Sequence, residues 1–505
     1  MTRAGLLLGI DIGTASSKGV LVDPSDGRLV ASAVREHTTA TPHPGWFEHD
    51  AERVWWGDLV ALARELLADG PELAGVCVSG IGPCLLPTDA RGEPLRPAIL
   101  YGVDTRAGEQ IAAQRARYGA ERVLERCGSD LTSQAVGPKL EWLREREPEV
   151  YARTRRWYMA SSWAAHRLTG GAYVLDHHSA SQCAPLYDLR EGRWIEEWRE
   201  EIAPGLEWPE LVWPAEVVGE VSAWAAGTTG IPAGTPVVAG TVDAWSESAG
   251  VGATGTGDLM LMYGTTMFLV NVVPEPVSDP RLWSTAGVFA GTSCLAGGMA
   301  TSGAVTGWLR DLTGADFGTL TAEAAQLPPG AEGLLMLPYF AGERTPVLDP
   351  EARGVVAGLT LRHGRAHLYR AALEATAFGV RHHLAAMREA GGTPDRLVAV
   401  GGGARELWTQ VVSDVTGREQ RLPRHTIGAA FGDAFLAAVG VGAARRPDIA
   451  EWNPVEATVA PEPAHAAVYG ELYGHYRTLY PATRETVHAL AARQRADDRS
   501  AAGPG

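Results

Sequence analysis

The chain has 505 residues, of which 45% are hydrophobic and 21% are charged, and 60 acidic against 44 basic residues give it a net charge of −16. This length exceeds what one hydrophobic core normally serves, so we expect two domains. The acidic balance argues against a broad nucleic-acid or anionic-membrane surface, and the five cysteines lack the CxxC spacing of zinc ribbons. The apolar stretch at residues 6–10 is too short to span a membrane and no signal-peptide pattern follows it. We therefore expect a cytoplasmic protein without nucleic-acid or membrane partners.

The N-terminal elements indicate an α/β architecture. Strands are predicted over residues 6–11 and 19–23, joined by a Gly-Thr turn, so the chain begins with a hairpin. A helix is predicted over residues 51–68 and a strand over residues 74–79. Residues 186–214, rich in Trp, Arg and Glu without a clean period, are expected to form an irregular surface excursion.

A domain boundary is predicted near residue 250. A strand over residues 236–240 and a short helix over residues 243–249 precede a glycine-rich crossing to the next strand, at residues 259–263. The crossing matches GxGxxG, but it follows a helix and leads into a strand, so we reject a Rossmann site, and the chain has no P-loop motif. The expected parts of the chain are an N-terminal domain over residues 1–250, a C-terminal domain over residues 251–493 and a disordered tail over residues 494–505.

The first hairpin carries residues suited to binding an anion. The turn after Asp11 contains Gly13 and Thr14, and Ser17 and Lys18 follow, so backbone N–H groups, hydroxyls and an ammonium group are available to a phosphate. The carboxylate of Asp11 is a suitable oxygen ligand for Mg²⁺. An ordinary hairpin turn with a solvated carboxylate is the alternative.

Three later segments carry similar features. Asp243 follows an apolar strand at the start of a predicted helix, where it is placed either at a ligand site or as a simple helix cap. The strand-Gly-Thr-strand pattern recurs at Gly264 and Thr265, which suggests two domains of related design, although two unrelated hairpins would look the same. Gly402 and Gly403 follow a strand at residues 397–400, in a loop that either approaches a ligand or only connects a strand to a helix.

In their order along nearly the whole chain, these motifs resemble the FGGY carbohydrate kinases of the actin-like ATPase superfamily. The hairpins at residues 11–14 and 264–266 resemble the two phosphate motifs of that family. Residues 338–346 and their continuation to residue 359 are similar to its C-terminal signature, and residues 402–404 resemble its adenosine-binding loop. Lys139 also falls in a family-like segment, so both lysines of the chain lie in motifs.

The resemblance implies an α/β fold of two ribonuclease-H-like domains, as in actin-like ATPases, flanking a central cleft. It implies ATP-dependent phosphoryl transfer to a sugar or polyol, with Asp243 as the general base and Asp11 helping to place Mg²⁺. The sugar site, the first hairpin and the catalytic aspartate would belong to the N-terminal domain, and nucleotide binding to the C-terminal domain. By the same resemblance, the ATP contacts are Gly13, Thr14, Ser17 and Lys18 at the transferred phosphate, Thr265 and Gly303 at the nucleotide phosphates, and Gly402 and Gly403 at the adenosine.

The acceptor segments favour a ketopentose. Glycerol kinases carry an Arg-Glu pair after the third strand, and this chain lacks that pair, so glycerol is disfavoured. Xylulokinases usually have Met-His-Gly there, which Gly82, Pro83 and Cys84 replace in this chain. Asp104 and Arg106 resemble a segment by which ketose kinases hold substrate hydroxyls, with a buried structural ion pair as the alternative. The expected acceptor is D-xylulose, bound by Gly82, Pro83, Asp104, Arg106 and Asp243. Another ketose or polyol (ribulose, a hexulose or a tetritol) stays open.

Two other classes of protein are less well supported. A chaperone-type or other actin-like ATPase would need no acceptor pocket, and the signature at residues 342–346 argues against it. A catalytically silent sugar-binding regulator would not need to retain both Asp11 and Asp243. The sequence is compatible with a homodimer but does not determine the oligomeric state.

Overall fold

The computed structural model describes residues 5–404 and 406–501. Up to residue 250 the strands are β1 (Leu6–Ile12), β2 (Ser16–Val22), β3 (Leu29–Glu36), β4 (Glu48–His49), β5 (Leu73–Gly80), β6 (Leu86–Thr88), β7 (Ala98–Ile99), β8 (Arg156–Tyr158), β9 (Val174–Asp176), β10 (Tyr187–Asp188), β11 (Arg193–Trp194), β12 (Glu210–Val212), β13 (Val217–Glu220) and β14 (Pro236–Val238). The helices there are α1 (Gly57–Leu66), preceded by a π-helical turn at Ala51–Trp56, α2 (Gly108–Tyr118), α3 (Ala120–Cys127), α4 (Val136–Arg146), α5 (Pro148–Arg153), α6 (Ala160–Thr169), α7 (His177–Ser181), α8 (Glu196–Ile202), α9 (Ala223–Thr229) and α10 (Asp243–Gly250).

Beyond residue 250 the strands are β15 (Asp258–Tyr263), β16 (Met267–Val273), β17 (Trp283–Ala286), β18 (Ser293–Met299), β19 (Leu335–Leu337), β20 (Val355–Ala357), β21 (Arg396–Val400), β22 (Gln420–Pro423) and β23 (Val455–Val459). The helices are α11 (Gly303–Thr313), α12 (Phe317–Ala325), α13 (Arg365–Glu389), α14 (Glu406–Thr416), α15 (Ala429–Gly440), α16 (Ile449–Trp452) and α17 (Ala466–Ala501). Short 3₁₀ turns lie at Ala331–Gly333, Arg446–Asp448 and Pro463–His465.

The two large sheets repeat one local design. The first has six strands in the order β13-β14-β5-β1-β2-β3, and the second has seven in the order β17-β18-β16-β15-β21-β22-β23. In each, an antiparallel hairpin (β1 with β2, β15 with β16) has its first strand paired in parallel with a later strand (β5 or β21). Both predicted hairpins are thereby confirmed, together with the related design of the regions that contain them.

The chain forms two compact units, and each is built from separate segments of sequence. Helix α15 packs so closely against β1 that only glycine fits at position 9. A Cβ atom there would lie only 2.0 Å from the carbonyl oxygen of Ala430. The division at residue 250 stays a prediction about sequence domains, since the compact units follow these long-range contacts instead. The first unit comprises Met1–Thr256, Val272–Cys294 and Ile427–Pro454, and the second comprises Gly257–Asn271, Leu295–Thr426 and Val455–Gly505.

Residues 186–214 are not a surface excursion. They form β10, β11, α8 and β12, and Leu186, Trp194 and Trp198 are buried in a hydrophobic core cluster that also includes Trp157. The expectation of an irregular surface segment was wrong. Exposed arginines and glutamates separate the buried apolar residues, and each strand or helix here is too short to show a periodic pattern in the sequence. The C-terminal end also differs from expectation, since α17 continues through residues 494–501, while residues 502–505 lie outside the described residues.

Candidate active site

The candidate site of the first unit lies where three neighbouring strands of its sheet end. The Ile81 N–H donates to the Ile12 carbonyl at 2.8 Å, and the Gly80 N–H donates to the Thr241 carbonyl at 3.2 Å. Because β1, β5 and β14 are parallel, their carboxyl ends meet at one edge of the sheet, where α/β proteins bind ligands. This edge brings together Asp11 at the end of β1 and Asp243 at the start of α10.

The carboxyl groups at this edge are electrostatically strained. Burial and the nearby charge of Asp243 raise the pKa of Asp11 to about 8, with Lys18 acting in the opposite direction. Burial also raises the pKa of Asp243 to about 6, although its Oδ1 accepts a 2.7 Å hydrogen bond from the Ala244 N–H. Such a cluster favours binding of a cation or uptake of a proton, which are the two functions expected of these residues.

Two further acids at this edge were missed by the sequence analysis. Burial and Asp243 raise the pKa of Glu247 to about 7. Asp433 of α15 is fully buried, with its carboxylate accepting hydrogen bonds from the Ser246 hydroxyl at 2.6 Å and the Ser79 hydroxyl at 2.7 Å, and burial raises its pKa well above the usual range. Glu247 could have been found from its i+4 spacing to Asp243, and Asp433 as the one acid in an otherwise apolar helix.

The first hairpin has the tight turn that a phosphate motif requires. A Cβ atom on Gly13 would lie 2.6 Å from the Ser16 carbonyl oxygen, and the Gly13 N–H donates to that oxygen at 3.0 Å. Thr14 is partly exposed, and its hydroxyl lies 3.2 Å from that of Tyr101. Lys18 is paired across the hairpin with Asp11, so both side chains lie on one face of the sheet.

Ser17 does not share that face. Its side chain is fully buried, and its hydroxyl donates a 2.8 Å hydrogen bond to the carboxylate of Asp58. Neighbouring residues of a strand point to opposite faces, so Ser17 and Lys18 cannot both face the phosphate. The expectation that Ser17 contacts the phosphate is therefore corrected.

The acceptor loop at Gly82 and Pro83 lies directly beside the helix that carries Asp243. A Cβ atom on Gly82 would be 2.6 Å from a methyl group of Val242, so the loop packs against the residue that precedes Asp243. Lys139 is nearby and buried; burial lowers its pKa to about 8, while the charges of Cys84 and Asp104 act in the opposite direction. The predicted acceptor loop and the predicted base are thus neighbours.

Asp104 and Arg106 form a buried ion pair, the alternative that the sequence left open. The guanidinium donates to the Asp104 carboxylate through Nε and Nη2 and to Glu48 through Nη1, at 2.7–3.0 Å. It lies 4.2 Å from the centre of the Trp46 ring, and neither charged side chain is exposed. These contacts use three of the five N–H groups of the guanidinium, one on each nitrogen. The geometry favours a structural role for the pair, and its assignment to the substrate stays a prediction. Asp104 also accepts from the Phe47 N–H, which fixes the loop next to Tyr101.

The second hairpin, in the other compact unit, is organised around Thr265. The N–H groups of Ser302 and Ala304 donate to the Thr265 carbonyl at 3.0 Å, and the N–H of Gly303 donates to the Gly264 carbonyl at 3.0 Å. The N–H of Gly303 is therefore used within the protein, and the assignment of Gly303 to the nucleotide phosphates stays a prediction. It is needed for close packing, since a Cβ atom there would lie 2.6 Å from the Gly264 oxygen.

The glycine loop after β21 lies beside the same hairpin. The Gly403 N–H donates to the Tyr263 carbonyl at 3.3 Å, and a Cβ atom on Gly403 would be 2.9 Å from the Trp408 ring. Gly402 is exposed, with no heavy atom within 4 Å of a Cβ atom placed there. Gly402 can thus be approached by a flat ring, whereas Gly403 is required by packing.

The first unit can supply one carboxylate oxygen, from Asp11, to a magnesium ion whose other ligands are water and phosphate oxygens. Oδ1 of Asp11 is buried and has no hydrogen-bond partner within the described ranges, and Mg²⁺ prefers oxygen ligands while keeping several waters. Within residues 5–404 and 406–501, no three or more His, Cys, Asp or Glu side chains are grouped to hold a metal. The chain can therefore supply a carboxylate to the ion, with water and phosphate oxygens completing its coordination.

Comparison with known proteins decides the family. Residues 6–250 match the N-terminal domain of the FGGY family of carbohydrate kinases, and residues 259–441 match the C-terminal domain of that family. The chain belongs to the FGGY family of carbohydrate kinases. As an FGGY kinase, it is a phosphotransferase of the actin-like ATPase fold, acting on a sugar with ATP as the family's nucleotide.

Individual FGGY kinases resemble the chain over most of its length. Xylulose kinase of Escherichia coli (strain K12) is 30% identical over 94% of this chain and 98% of the relative. A glycerol kinase of Nocardia farcinica is 32% identical over 86% of this chain and 89% of the relative. The crystal structure of a xylulose kinase from Rhodospirillum rubrum is 34% identical, with a TM-score of 0.89 over 96% of this chain and all of that chain. Within the described residues, no helix of this FGGY kinase has both the length and the apolar character needed to cross a membrane.

Proposed function

We propose that this kinase transfers the γ-phosphate of ATP to a hydroxyl of a ketopentose, with D-xylulose as the first candidate. The observation that carries the proposal is the placement of Asp243 beside both Asp11 and the acceptor loop at Gly82, at one edge of one sheet. The similarity to xylulose kinases over nearly the full chain supports the choice of acceptor.

Asp243 is proposed as the general base. With a pKa of about 6 it is largely ionised at neutral pH and remains basic enough to accept a proton from a hydroxyl. As the first residue of α10, it also lies at the positive end of a helix dipole, which favours the carboxylate form. The base therefore has both the position and the basicity that the reaction needs.

Lys18, Thr14 and Asp11 are proposed to align the transferred phosphate. Phosphoryl transfer requires in-line positioning and charge stabilisation, which an ammonium group, a hydroxyl and directed amides can supply. Mg²⁺, when bound, would neutralise phosphate charge. Asp11 would hold it through Oδ1, which has no other partner within the described part of the chain.

In the second unit, Thr265 is proposed to contact nucleotide phosphates, and Gly402, with Gly403 supporting the loop, the adenosine. The supporting observations are the ordered turn at Thr265 and the exposed backbone of Gly402. The acceptor contacts are proposed to come from Gly82, Pro83 and Tyr101, whose hydroxyl already lies 3.2 Å from Thr14. A cytoplasmic location stays a prediction.

The test combines one variant with a panel of acceptors. ADP production is measured with xylulose, ribulose, a hexulose, a tetritol and glycerol, each at several concentrations. We expect the highest kcat/KM with xylulose, and Asp243→Asn is expected to lower kcat by about 10²–10⁴-fold without loss of fold. Highest turnover with glycerol would overturn the acceptor assignment. More than about a tenth of wild-type kcat in Asp243→Asn would overturn the role of the base.

A further inference from the structure

Three successive carbonyl groups of the first phosphate turn are held by the segment that follows β3. The Gly13 oxygen lies 3.1 Å from Nε2 of His37, and the Thr14 oxygen accepts a 2.9 Å hydrogen bond from the hydroxyl of Thr39. The Ala15 oxygen accepts a 3.0 Å hydrogen bond from the backbone N–H of His37. We call this set of contacts, from His37 and Thr39 to the turn, the carbonyl clamp.

The clamp fixes the direction of the amides that follow these carbonyls. The peptide bonds of the turn are trans, so each N–H points opposite to the carbonyl of its own peptide group. Holding the Gly13 and Thr14 carbonyls from one side therefore turns the N–H groups of Thr14 and Ala15 to the other side. In the described part of the chain neither amide donates to another protein group, and Ala15 is exposed.

The two clamp side chains are themselves held by buried groups. Nδ1 of His37 lies 2.7 Å from the carboxylate of Asp58, so each ring nitrogen of His37 faces an oxygen atom. The charged and titratable groups facing this ring are Asp58 from α1 and His49 from β4, and the same carboxylate accepts from the hydroxyl of Ser17.

The hydroxyl of Thr39 is oriented by a neutral histidine. Nε1–H of Trp55 donates to Nδ1 of His49 at 3.2 Å, which leaves the proton of His49 on Nε2, 3.0 Å from the Thr39 hydroxyl. Burial, together with the charge of His37, lowers the pKa of His49 to about 4. Because Thr39 accepts from His49, its own hydroxyl proton is free to be donated to the Thr14 carbonyl.

We propose that His37 and Thr39 are positioning residues that aim the Thr14 and Ala15 amides at a phosphate of the nucleotide. The inference rests on the proposed use of this hairpin for ATP. Neither residue touches the nucleotide itself. The clamp would hold these two amides, which donate to no other group in the described residues, in one orientation before any phosphate is bound. Electrostatic catalysis requires such preorganisation.

The test measures binding of a non-hydrolysable ATP analogue with Mg²⁺ by calorimetry, without sugar. Thr39→Val keeps the shape of the side chain but lacks the hydroxyl, Thr39→Ser keeps the hydroxyl, and His37→Phe keeps a ring without N–H groups. The exposed His475 on α17 provides the control variant His475→Gln. We expect about tenfold weaker binding in Thr39→Val and His37→Phe, equivalent to about 1.4 kcal/mol, and less than about twofold change in Thr39→Ser and the control. In turnover assays, KM for ATP should rise more than kcat falls.

The outcomes separate the clamp from the function on which it rests. If the wild-type protein binds the analogue, and Thr39→Val and His37→Phe both bind it with unchanged affinity, the clamp is overturned but the proposed ATP site is not. Equal weakening in Thr39→Ser and Thr39→Val would also overturn it, because the hydroxyl would then not be the group that matters. If wild-type protein bound no analogue, both the clamp and the proposed ATP site would fail. Should His37→Phe not fold, the two Thr39 variants decide the outcome by themselves.

Discussion

Replacing Gly432 by alanine tests the contact between the helix that carries Asp243 and the helix that carries Asp433. A Cβ atom on Gly432 would lie 1.8 Å from the carbonyl oxygen of Ser246, whereas non-bonded carbon and oxygen atoms normally stay more than about 3 Å apart. The obstructing atom belongs to the backbone of α10, so no side-chain rotation can relieve the contact. Gly250 on α10 also lies close to α15, since its Cβ atom would be 2.8 Å from the Gly432 nitrogen. Helices α10 and α15 would have to separate by more than an ångström.

Two opposing effects decide the magnitude. Alanine in a helix interior is favoured over glycine by up to about 1 kcal/mol. Overpacking of this kind typically costs about 1–3 kcal/mol or more, and the backbone clash here belongs at the upper end. We therefore expect a net loss of about 2 kcal/mol or more in the free energy of unfolding. Because α10 also positions Asp243 and Ser246, kcat should fall as well.

Differential scanning calorimetry and turnover with the best acceptor measure both effects. The matched control is Gly227→Ala in α9, where no heavy atom lies within 4 Å of the added Cβ atom, so the melting temperature should stay the same or rise. For Gly432→Ala a fall of roughly 2–3 °C, or more if the clash costs more, is expected for a unit of this size. A variant as stable and active as the control would refute the close approach of α10 and α15.

Three further outcomes are expected. Lys18→Met should raise KM for ATP without lowering the melting temperature of the ligand-free protein, and a loss of stability with unchanged KM would instead assign Lys18 to the turn itself. Burial raises the pKa of Asp243 to about 6 and that of Asp11 to about 8, so the stability these acids contribute is present at low pH and lost as pH rises through those values. The melting temperature of metal-free protein should accordingly fall between about pH 5 and about pH 8, and less steeply in Asp11→Asn; identical pH profiles would contradict the strained cluster. Arg106→Met should lower the free energy of unfolding by about 3–5 kcal/mol in chemical denaturation, because Asp104 and Glu48 lose a buried partner. A raised KM for sugar with unchanged stability would instead support Arg106 as a substrate contact.

Local patterns were sufficient to predict the strands of both hairpins. Strand β1 is a continuous apolar run ended by Asp11 and Gly13, and β15 with β16 repeats that pattern around Gly264. Such runs determine local structure through burial of adjacent residues. The same locality explains why Asp11 and Asp243 could be placed at strand ends, although their roles came from the family resemblance.

Long-range contacts explain what the sequence did not predict. The return of α15 to β1 depends on Gly9 and Ala430, which are far apart in the chain, and no local pattern records that contact. The ion pair of Arg106 was left open because its partner Glu48 is also distant in sequence. Ser17 is a different case, since the predicted strand began only at residue 19. The observed β2 begins at Ser16, and this earlier start places Ser17 and Lys18 on opposite faces of the sheet.

The buried tryptophans of the first compact unit, such as Trp157, Trp194 and Trp198, determine what intrinsic fluorescence reports during unfolding. Of the 16 tryptophans in the chain, only Trp308 and Trp408 belong to the second unit. Intrinsic fluorescence will therefore report almost entirely on the first unit, while the far-ultraviolet circular dichroism signal comes from helices in both. If the two units lose structure at different denaturant concentrations, these two optical signals will separate, and the gap between them measures how far one unit can unfold without the other.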